Sequence, residues 1–253
     1  MLSKPRFTPA RRVERLRQRA RGRKVAHFIH VGKTAGTAIK AGLSHQSNSG
    51  RYYLMLHTHP LRLMDLPAGD AFFFCVRDPL SRYESGFRSR QRQGRPAHFV
   101  PWRPEEEAAF ARYGSPDELG QALSAGGEEQ RAAEHAMASI RHVNQSYWHW
   151  FGDEAYFRRQ APRLLWVGHQ ESLDVTCLAT ALELASIELP SDDSRAHRRF
   201  AEAAGSGVAG PSKDCPAVLS QAAVGNLRAW YAADYRFLEV VDEIAPGGNT
   251  PLP

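Results

Sequence analysis

A glycine-bounded loop with one lysine and two threonines is the first stretch in which residue types and spacing predict chemistry. An apolar run leads into it, a helical pattern follows, and its residues are Gly32, Lys33, Thr34, Ala35, Gly36, Thr37 and Ala38. A buried strand entering such a loop at a helix start directs backbone N–H groups and the positive helix end toward one point, which suits a phosphate or sulfate. Amides from Lys33 to Ala38 and the hydroxyls of Thr34 and Thr37 are therefore predicted to donate hydrogen bonds to an anion. An ordinary strand, turn and helix is the alternative interpretation.

The residue order of this loop differs from that of the common nucleoside-triphosphate loop. That loop, G-x-x-x-x-G-K-[ST], has its lysine after the second glycine, at the start of the helix. In this chain Lys33 precedes Gly36. The stretch therefore predicts an anion site that is distinct from the usual ATP or GTP site.

A second junction between an apolar run and a helical pattern carries Arg77 and Ser85. The run 72–76 leads into Arg77, and Pro79 takes a position that is favoured in the first turn of a helix. Arg77 would lie at the carboxyl end of a strand, where open α/β sheets bind ligands. From a helix that starts near Pro79, the Ser85 hydroxyl can point back toward Arg77. The pair predicts a clamp for a second phosphate.

Two histidines lie between these junctions, in a stretch that is typical of a short strand entering a loop. His57 and His59 are two residues apart, so in extended backbone they face the same way, and Pro60 ends the strand pairing. A neutral imidazole can take a proton near pH 7. A structural hydrogen-bonding role is the alternative, and zinc is disfavoured because no third ligand lies nearby in the sequence.

Two anion sites at two strand ends predict a ligand with two phosphorylated ends. In these motifs the chain resembles the sulfotransferases that use 3′-phosphoadenosine 5′-phosphosulfate, and is most similar to the carbohydrate enzymes of the uronyl and heparan 2-O type. In that family the early-lysine loop holds the 5′-phosphosulfate, and an R-D-P-x-x-R-x-x-S-x-F stretch, here from Arg77 to Phe87, holds the 3′-phosphate. An H-x-H stretch lies between them, and its second histidine looks like the base. The resemblance spans roughly residues 25–244 and is sharp only in the two phosphate motifs.

The resemblance implies a fold and a mechanism. The fold is a three-layer α/β, P-loop NTPase-like domain with a mainly parallel central sheet flanked by helices. The reaction is in-line transfer of the sulfuryl group to a hydroxyl acceptor, with a carbohydrate as the expected acceptor and no metal. His59 is then the expected base, with His57 as the second choice. Lys33 would neutralise charge that grows on the bridging oxygen and the sulfuryl group.

Two further stretches match the family loosely. His142 and Gln145 stand in a segment rich in amides and aromatic residues that resembles an acceptor-contacting stretch. A plain helix start with buried aromatic residues is the favoured alternative interpretation. Ser212 and Lys213 follow a glycine-rich segment and resemble a basic lid over the nucleotide, whereas an ordinary surface lysine is the alternative.

The N-terminal segment 1–24 is strongly basic. It holds ten of the 33 Lys and Arg residues and one of the 27 Asp and Glu residues, which leaves 23 bases against 26 acids elsewhere. Such a run is usually a solvated or disordered arm. The alternative is an electrostatic tether to an anionic membrane surface or a polyanion. The spacing of Val13 and Leu16, which are three apart, also indicates a basic helix over residues 11–24. Nucleic acid is not expected, because aromatic residues are not interleaved with the bases.

Composition sets the remaining expectations. A 42% apolar fraction is ordinary for a globular protein, which predicts one domain over 25–245 with a frayed tail at 246–253. No run of about 18 apolar residues occurs, so no membrane span is predicted. The three cysteines, Cys75, Cys177 and Cys215, lack metal spacing and cannot all pair, which favours a reducing compartment. A cytoplasmic bacterial enzyme fits best, and a Golgi-luminal enzyme without its anchor is the alternative.

Two rival functions stay open at this point. One is a nucleotide kinase with a related phosphate loop, against which stand the lysine order and the lack of a clear Mg²⁺-binding acidic partner. The other is a non-catalytic module that binds polyanions through the basic arm.

Overall fold

The structure is a computed structural model that describes residues 7–46, 50–96, 99–190 and 219–246. The chain divides into two compact units, each described by itself below. The first is drawn from Met1–Arg77, Ser146–Leu189 and Ala233–Pro253, and the second from Asp78–Gln145 and Pro190–Ala232. The single domain predicted over 25–245 is therefore distributed over two units.

Four strands, eleven α-helices and three short 3-10 helices make up the regular structure of the described residues. The strands are β1 (Lys24–Ile29), β2 (Tyr52–Leu56), β3 (Ala71–Val76) and β4 (Leu164–His169). The helices are α1 (Pro9–Ala20), α2 (Gly36–Leu43), α3 (Pro79–Gln91), α4 (Pro104–Arg112), α5 (Pro116–Ala122), α6 (Gly127–Ser139), α7 (Trp148–Phe151), α8 (Glu154–Gln160), α9 (Val175–Ala181), α10 (Gln221–Trp230) and α11 (Ala232–Ile244).

The first unit is built on a sheet in which all four strands are parallel, in the order β2-β1-β3-β4. Side chains alternate between the two faces of each strand. Val25 and Phe74 pack on one face with Phe237 of α11, whereas Phe28 and Phe73 pack on the other with α2 and α9. Helices cover both faces, as the sequence predicts for parallel strands that are apolar along their whole length. The prediction of an α/β fold with a parallel central sheet is confirmed.

The strand order creates a switch point between β1 and β3. The chain leaves the carboxyl end of β1 toward β2 on one side, and it leaves β3 toward β4 on the other side. In open α/β sheets, ligands bind at the carboxyl edge where neighbouring connections diverge in this way. The loop that contains Lys33 and the residue Arg77 follow these two strands.

The second unit is helical in its described part. It contains α3 to α6 and α10, and a buried ion pair between Arg90 and Glu106 joins α3 to α4 with an Arg Nη2 to Glu Oε2 distance of 2.7 Å. Across the described residues of the whole chain, no helix has both the length and the apolar character needed to cross a membrane.

Candidate functional site at the carboxyl edge of the sheet

The loop between β1 and α2 has the backbone geometry of an anion cradle. Lys33 and Ala35 both have left-handed backbone, with φ angles of 68° and 60°. Left-handed residues within a tight turn direct neighbouring N–H groups to one side and form a concavity that suits an anion. Ala35 is the N-cap of α2, and no side chain caps this helix start. The amides of Gly36 and Thr37 and the positive end of α2 are therefore directed toward the predicted ligand position. The Ala38 amide, which the sequence predicted as a further donor, instead donates to the Ala35 carbonyl at 2.9 Å.

The two threonines of the loop differ in what they can offer. The Thr34 side chain is buried and its hydroxyl donates to the carbonyl of Val31 at 3.2 Å. Its one proton stabilises the loop instead of pointing to an anion, which differs from the sequence prediction. Thr37 is exposed in the first turn of α2, so its hydroxyl stays a candidate donor.

His30, which sequence reasoning missed, fixes the shape of this loop. A Cβ atom added to Gly36 would lie 2.1 Å from His30 Cδ2 and 2.4 Å from Nε2. The start of α2 can approach the imidazole so closely only because residue 36 lacks a side chain. The signal was present in the sequence, since this histidine directly follows β1 and precedes the first glycine of the loop.

His59 lies against this same histidine. Their ring centroids are 4.0 Å apart, and His59 Nδ1 lies 3.1 Å from the backbone oxygen of His30. The indole N–H of buried Trp150 donates to the backbone oxygen of His59 at 2.8 Å. Ring and backbone of His59 are therefore both held at the carboxyl edge of the sheet.

The hydrogen bond to His30 also sets the protonation of the His59 ring. A carbonyl oxygen can only accept, so Nδ1 carries the proton and the lone pair lies on Nε2. Burial lowers the pKa of His59, the His30 carbonyl opposes that change, and the charges of Lys40 and Lys33 lower it further. The side chain is thus neutral at pH 7 with a basic Nε2, which is what a general base requires.

His57 has a very different environment, although the sequence predicted that both histidines face the same way. β2 ends at Leu56, so the alternation of an extended strand does not continue to these residues. His57 is buried, with Nδ1 2.8 Å from Arg11 Nη1 and Nε2 2.9 Å from His27 Nδ1. Both ring nitrogens are engaged inside the protein, which makes His57 a poor candidate for the base.

This contact belongs to a buried chain of hydrogen bonds that we name the histidine chain: Arg11, His57, His27 and Asp70. Because the arginine can only donate, His57 donates to His27, and His27 Nε2 donates to Asp70 Oδ2 at 3.0 Å. Burial, with the charges of His27, Arg11 and Lys40, lowers the pKa of His57 to about 2. Sequence reasoning missed His27 and Asp70, which are 43 residues apart.

The N-terminal helix α1 is attached to the first unit through this chain. Arg11 also donates to the backbone oxygen of Leu56 at 3.1 and 3.2 Å, and Arg15 and Arg19 both pair with Asp70. Burial raises the pKa of Asp70, but hydrogen bonds from His27 and Arg15 outweigh it and lower the pKa to about 2. Residues 9–20 of the basic arm are therefore helical and held against the rest of the unit, whereas the sequence indicated a helix over 11–24.

Arg77 follows β3 on the other side of the switch point. The Tyr147 hydroxyl accepts from the Arg77 amide at 2.9 Å and donates to the Arg77 carbonyl at 2.6 Å. Tyr147 is fully buried, whereas Arg77 is only half-buried. The backbone of the predicted phosphate-binding arginine is therefore held rigidly at the strand end.

The second unit contains Ser85, His142 and Gln145. Ser85 is half-buried on α3. The next residue, Gly86, lies so close to His142 that a Cβ added to it would be 3.3 Å from the backbone carbon and oxygen of His142, a tight contact. Arg82, one turn earlier on α3, donates to the Gln145 carbonyl at 2.6 Å. Within this unit, the predicted acceptor segment thus packs against the helix that carries Ser85.

Some predicted features lie outside what the structure describes. Ser212 and Lys213 fall outside the described residues, as does Cys215. Among the residues that are described, no group of three or more His, Cys, Asp or Glu side chains has a metal-binding arrangement. Comparison of the chain with models of known protein families, with curated proteins and with solved structures finds no significant match.

Proposed function

We propose that this protein is a sulfotransferase that moves a sulfuryl group from 3′-phosphoadenosine 5′-phosphosulfate to a hydroxyl acceptor. One observation carries the proposal above the others. A neutral histidine, His59, whose Nδ1 donates to the His30 carbonyl so that the basic lone pair lies on Nε2, is held beside the Lys33 loop at the carboxyl edge of a parallel sheet. An anion cradle and a base in one place suit the transfer of an anionic group to a hydroxyl.

The donor has two anionic ends, and two positively charged features flank the switch point. Backbone amides from Lys33 to Thr37 and the positive end of α2 would hold the 5′-phosphosulfate. Arg77, with its backbone clamped by Tyr147, would contact the 3′-phosphate. The assignment of Ser85 to the same phosphate rests on the resemblance to the sulfotransferases alone. A P-loop NTPase-like topology is part of this proposal.

The chemical step follows from the positions of these groups. The acceptor oxygen forms a bond to sulfur while the bond from sulfur to the 5′-phosphate oxygen breaks, and that electron pair stays on the phosphate oxygen. The hydroxyl proton moves to His59 Nε2, a contribution of about 10²–10⁴ in rate. The Lys33 ammonium stabilises the charge on the departing oxygen. For the acceptor we propose a carbohydrate, with His142 and Gln145 supplying polar contacts to its hydroxyl groups.

Thermal unfolding with nucleotides tests the donor site. We expect 3′,5′-adenosine bisphosphate to raise the unfolding midpoint and ATP with Mg²⁺ to leave it unchanged. At about one hundred times the dissociation constant, a ligand adds about 2.7 kcal/mol, or about 5–10 °C for a chain of this size. Arg77→Ala should remove the rise. Arg51→Ala is the matched control, because Arg51 is an exposed arginine just before β2 that pairs with Glu183.

The other outcomes point to the rival functions. A rise with ATP alone would replace the sulfotransferase by a nucleotide kinase. No rise with either nucleotide would favour a module that binds polyanions without catalysis. A rise with the bisphosphate that Arg77→Ala leaves intact would show that the two motifs do not act as a pair.

A further inference from the structure

Helix α1 is amphipathic, but it is attached to the protein through its polar side. In an ordinary surface helix the apolar stripe faces the core and the charged residues face water. In α1 the inward positions are Arg11, Arg15 and Gln18, of which Gln18 is 4% exposed. Arg11 and Arg15 are engaged by the histidine chain and Asp70. The helix has the reverse of the usual orientation.

The apolar stripe of α1 consequently faces solvent. Val13 and Leu16 are 54% and 60% exposed, and Pro9 and Ala20 are exposed on the same side of the helix. A helix turns 100° per residue, so these four positions form one continuous stripe along the whole helix. A single exposed leucine needs no explanation, because much of any protein surface is apolar. A stripe that runs the length of a helix, while arginines take the inward positions, does need one.

Positive charge borders this stripe. Arg12 and Arg17 lie on its two sides and are both exposed. Past the end of α1, basic residues continue into a cavity of about 520 Å³ at the amino ends of the strands, whose lining includes Arg19, Arg23 and Arg163. An apolar stripe between arginines is the pattern of a helix that lies in the interface of an anionic bilayer.

We propose that α1 docks this protein on the surface of an anionic lipid bilayer, with Val13 and Leu16 inserted among the acyl chains and the flanking arginines at the lipid phosphates. The stripe favours a bilayer over a soluble polyanion, because a polyanion offers charge but no apolar phase. It disfavours a second copy of the chain, since Arg12 and Arg17 of two stripes would then meet like charges. The proposal is independent of the sulfotransferase activity.

Binding to vesicles tests this surface. The full chain is sedimented with vesicles of phosphatidylcholine alone and of one part phosphatidylserine to two parts phosphatidylcholine. We expect binding to the second kind only. Val13→Ser together with Leu16→Ser should weaken it by at least about tenfold, and Arg12→Gln with Arg17→Gln by about fivefold for each arginine. Met64→Ser is the matched control, since Met64 is an equally exposed apolar residue outside α1, at 58%.

Each alternative has its own result. The proposal would be overturned if the protein bound neutral vesicles as strongly as anionic ones. It would also be overturned if Met64→Ser weakened vesicle binding as much as the serine changes in the stripe. Binding to heparin that the arginine changes abolish and the serine changes leave intact, with no vesicle binding, would identify a polyanion site instead. A dimer that the serine changes convert to a monomer without lipid would identify self-association. All altered positions are exposed, so an unchanged unfolding midpoint and an unchanged nucleotide response confirm that each variant is folded.

Discussion

His57 and His59 are separated by one residue, and yet they belong to two different kinds of site. His57 lies in the histidine chain, where every ring nitrogen has a protein partner and the ends of the chain are an arginine and a carboxylate. His59 is half-buried, and its Nδ1 lies against a backbone carbonyl. One histidine has its full hydrogen-bonding capacity used by the fold, and the other has a basic nitrogen at the sheet edge.

The difference shows how a protein separates stability from chemistry. A buried polar network is favourable only when all its members are paired, and then it rigidifies the structure around it. The histidine chain fixes α1 and His57, which directly follows β2 and lies two positions before His59. Changes at His59 should therefore act mainly on the reaction, whereas changes in the histidine chain should act mainly on the stability.

The largest expected effect is on turnover. His59→Ala removes the proposed base, so we expect sulfuryl transfer to fall by about 10²–10⁴-fold while the nucleotide still raises the unfolding midpoint. His45→Ala, at an exposed histidine just after α2, is the control and should keep full activity. A His59→Ala variant with normal turnover would remove His59 from the mechanism, and turnover lost only in a His57 variant would reverse the two assignments.

The second effect is on stability and belongs to the histidine chain. Asp70→Asn removes the charge that neutralises Arg15 and Arg19 in a site where the carboxylate is 1% exposed. Removing one partner from a buried ion pair leaves the other uncompensated, so we expect a loss of about 3 kcal/mol in the free energy of unfolding. Urea unfolding measures this loss. Asp242→Asn, at a carboxylate whose side chain is 61% exposed, is the control and should change stability by less than about 0.5 kcal/mol.

The contrast between the two sites also marks where sequence reasoning succeeds. The apolar runs of β1 and β3 predict buried parallel strands, and the carboxyl ends of those strands bring the Lys33 loop and Arg77 to one edge. The prediction that His57 and His59 face the same way is wrong, because it requires an extended strand that continues past Leu56. The pattern of apolar runs also gives no information on Arg11, His27 and Asp70, because polar residues that satisfy one another across the fold leave no periodic pattern. For the same reason the arginines of α1 look solvated in the sequence.

The third effect is a dependence of stability on pH. Because His57 is neutral in the folded protein and has an ordinary pKa of about 6.5 when unfolded, the unfolded state binds the additional proton as the pH falls. Folding stability is therefore lost below about pH 6.5, by about 2 kcal/mol for this residue between pH 7 and pH 5. His27, whose pKa burial also lowers, adds to the loss.

His57→Gln separates this contribution from the rest. Glutamine can accept from Arg11 and donate to His27 but cannot be protonated, so the loss between pH 7 and pH 5 should shrink by about 2 kcal/mol in this variant. Urea unfolding of both proteins at pH 7 and pH 5 measures how much the free energy of unfolding changes between the two pH values. An unchanged difference would mean that His57 takes up its proton equally in the folded and unfolded states, so that its pKa is not lowered by the fold.

The smallest effect concerns the contact that joins the loop to the base. In Gly36→Ala the new methyl group would overlap the His30 ring, which in turn contacts the His59 ring. We therefore expect the free energy of unfolding to fall by about 1–2 kcal/mol. We also expect turnover to fall more than nucleotide affinity, because the base is displaced. Gly225→Ala is the matched control, because Gly225 is also helical and a Cβ there meets no atom within 4 Å. That variant should be more stable by up to about 1 kcal/mol, since alanine loses less entropy than glycine in a helix. If both variants gained stability, the close approach of His30 to α2 would not exist in solution. His30 would then not be the residue that couples the Lys33 loop to the position of His59.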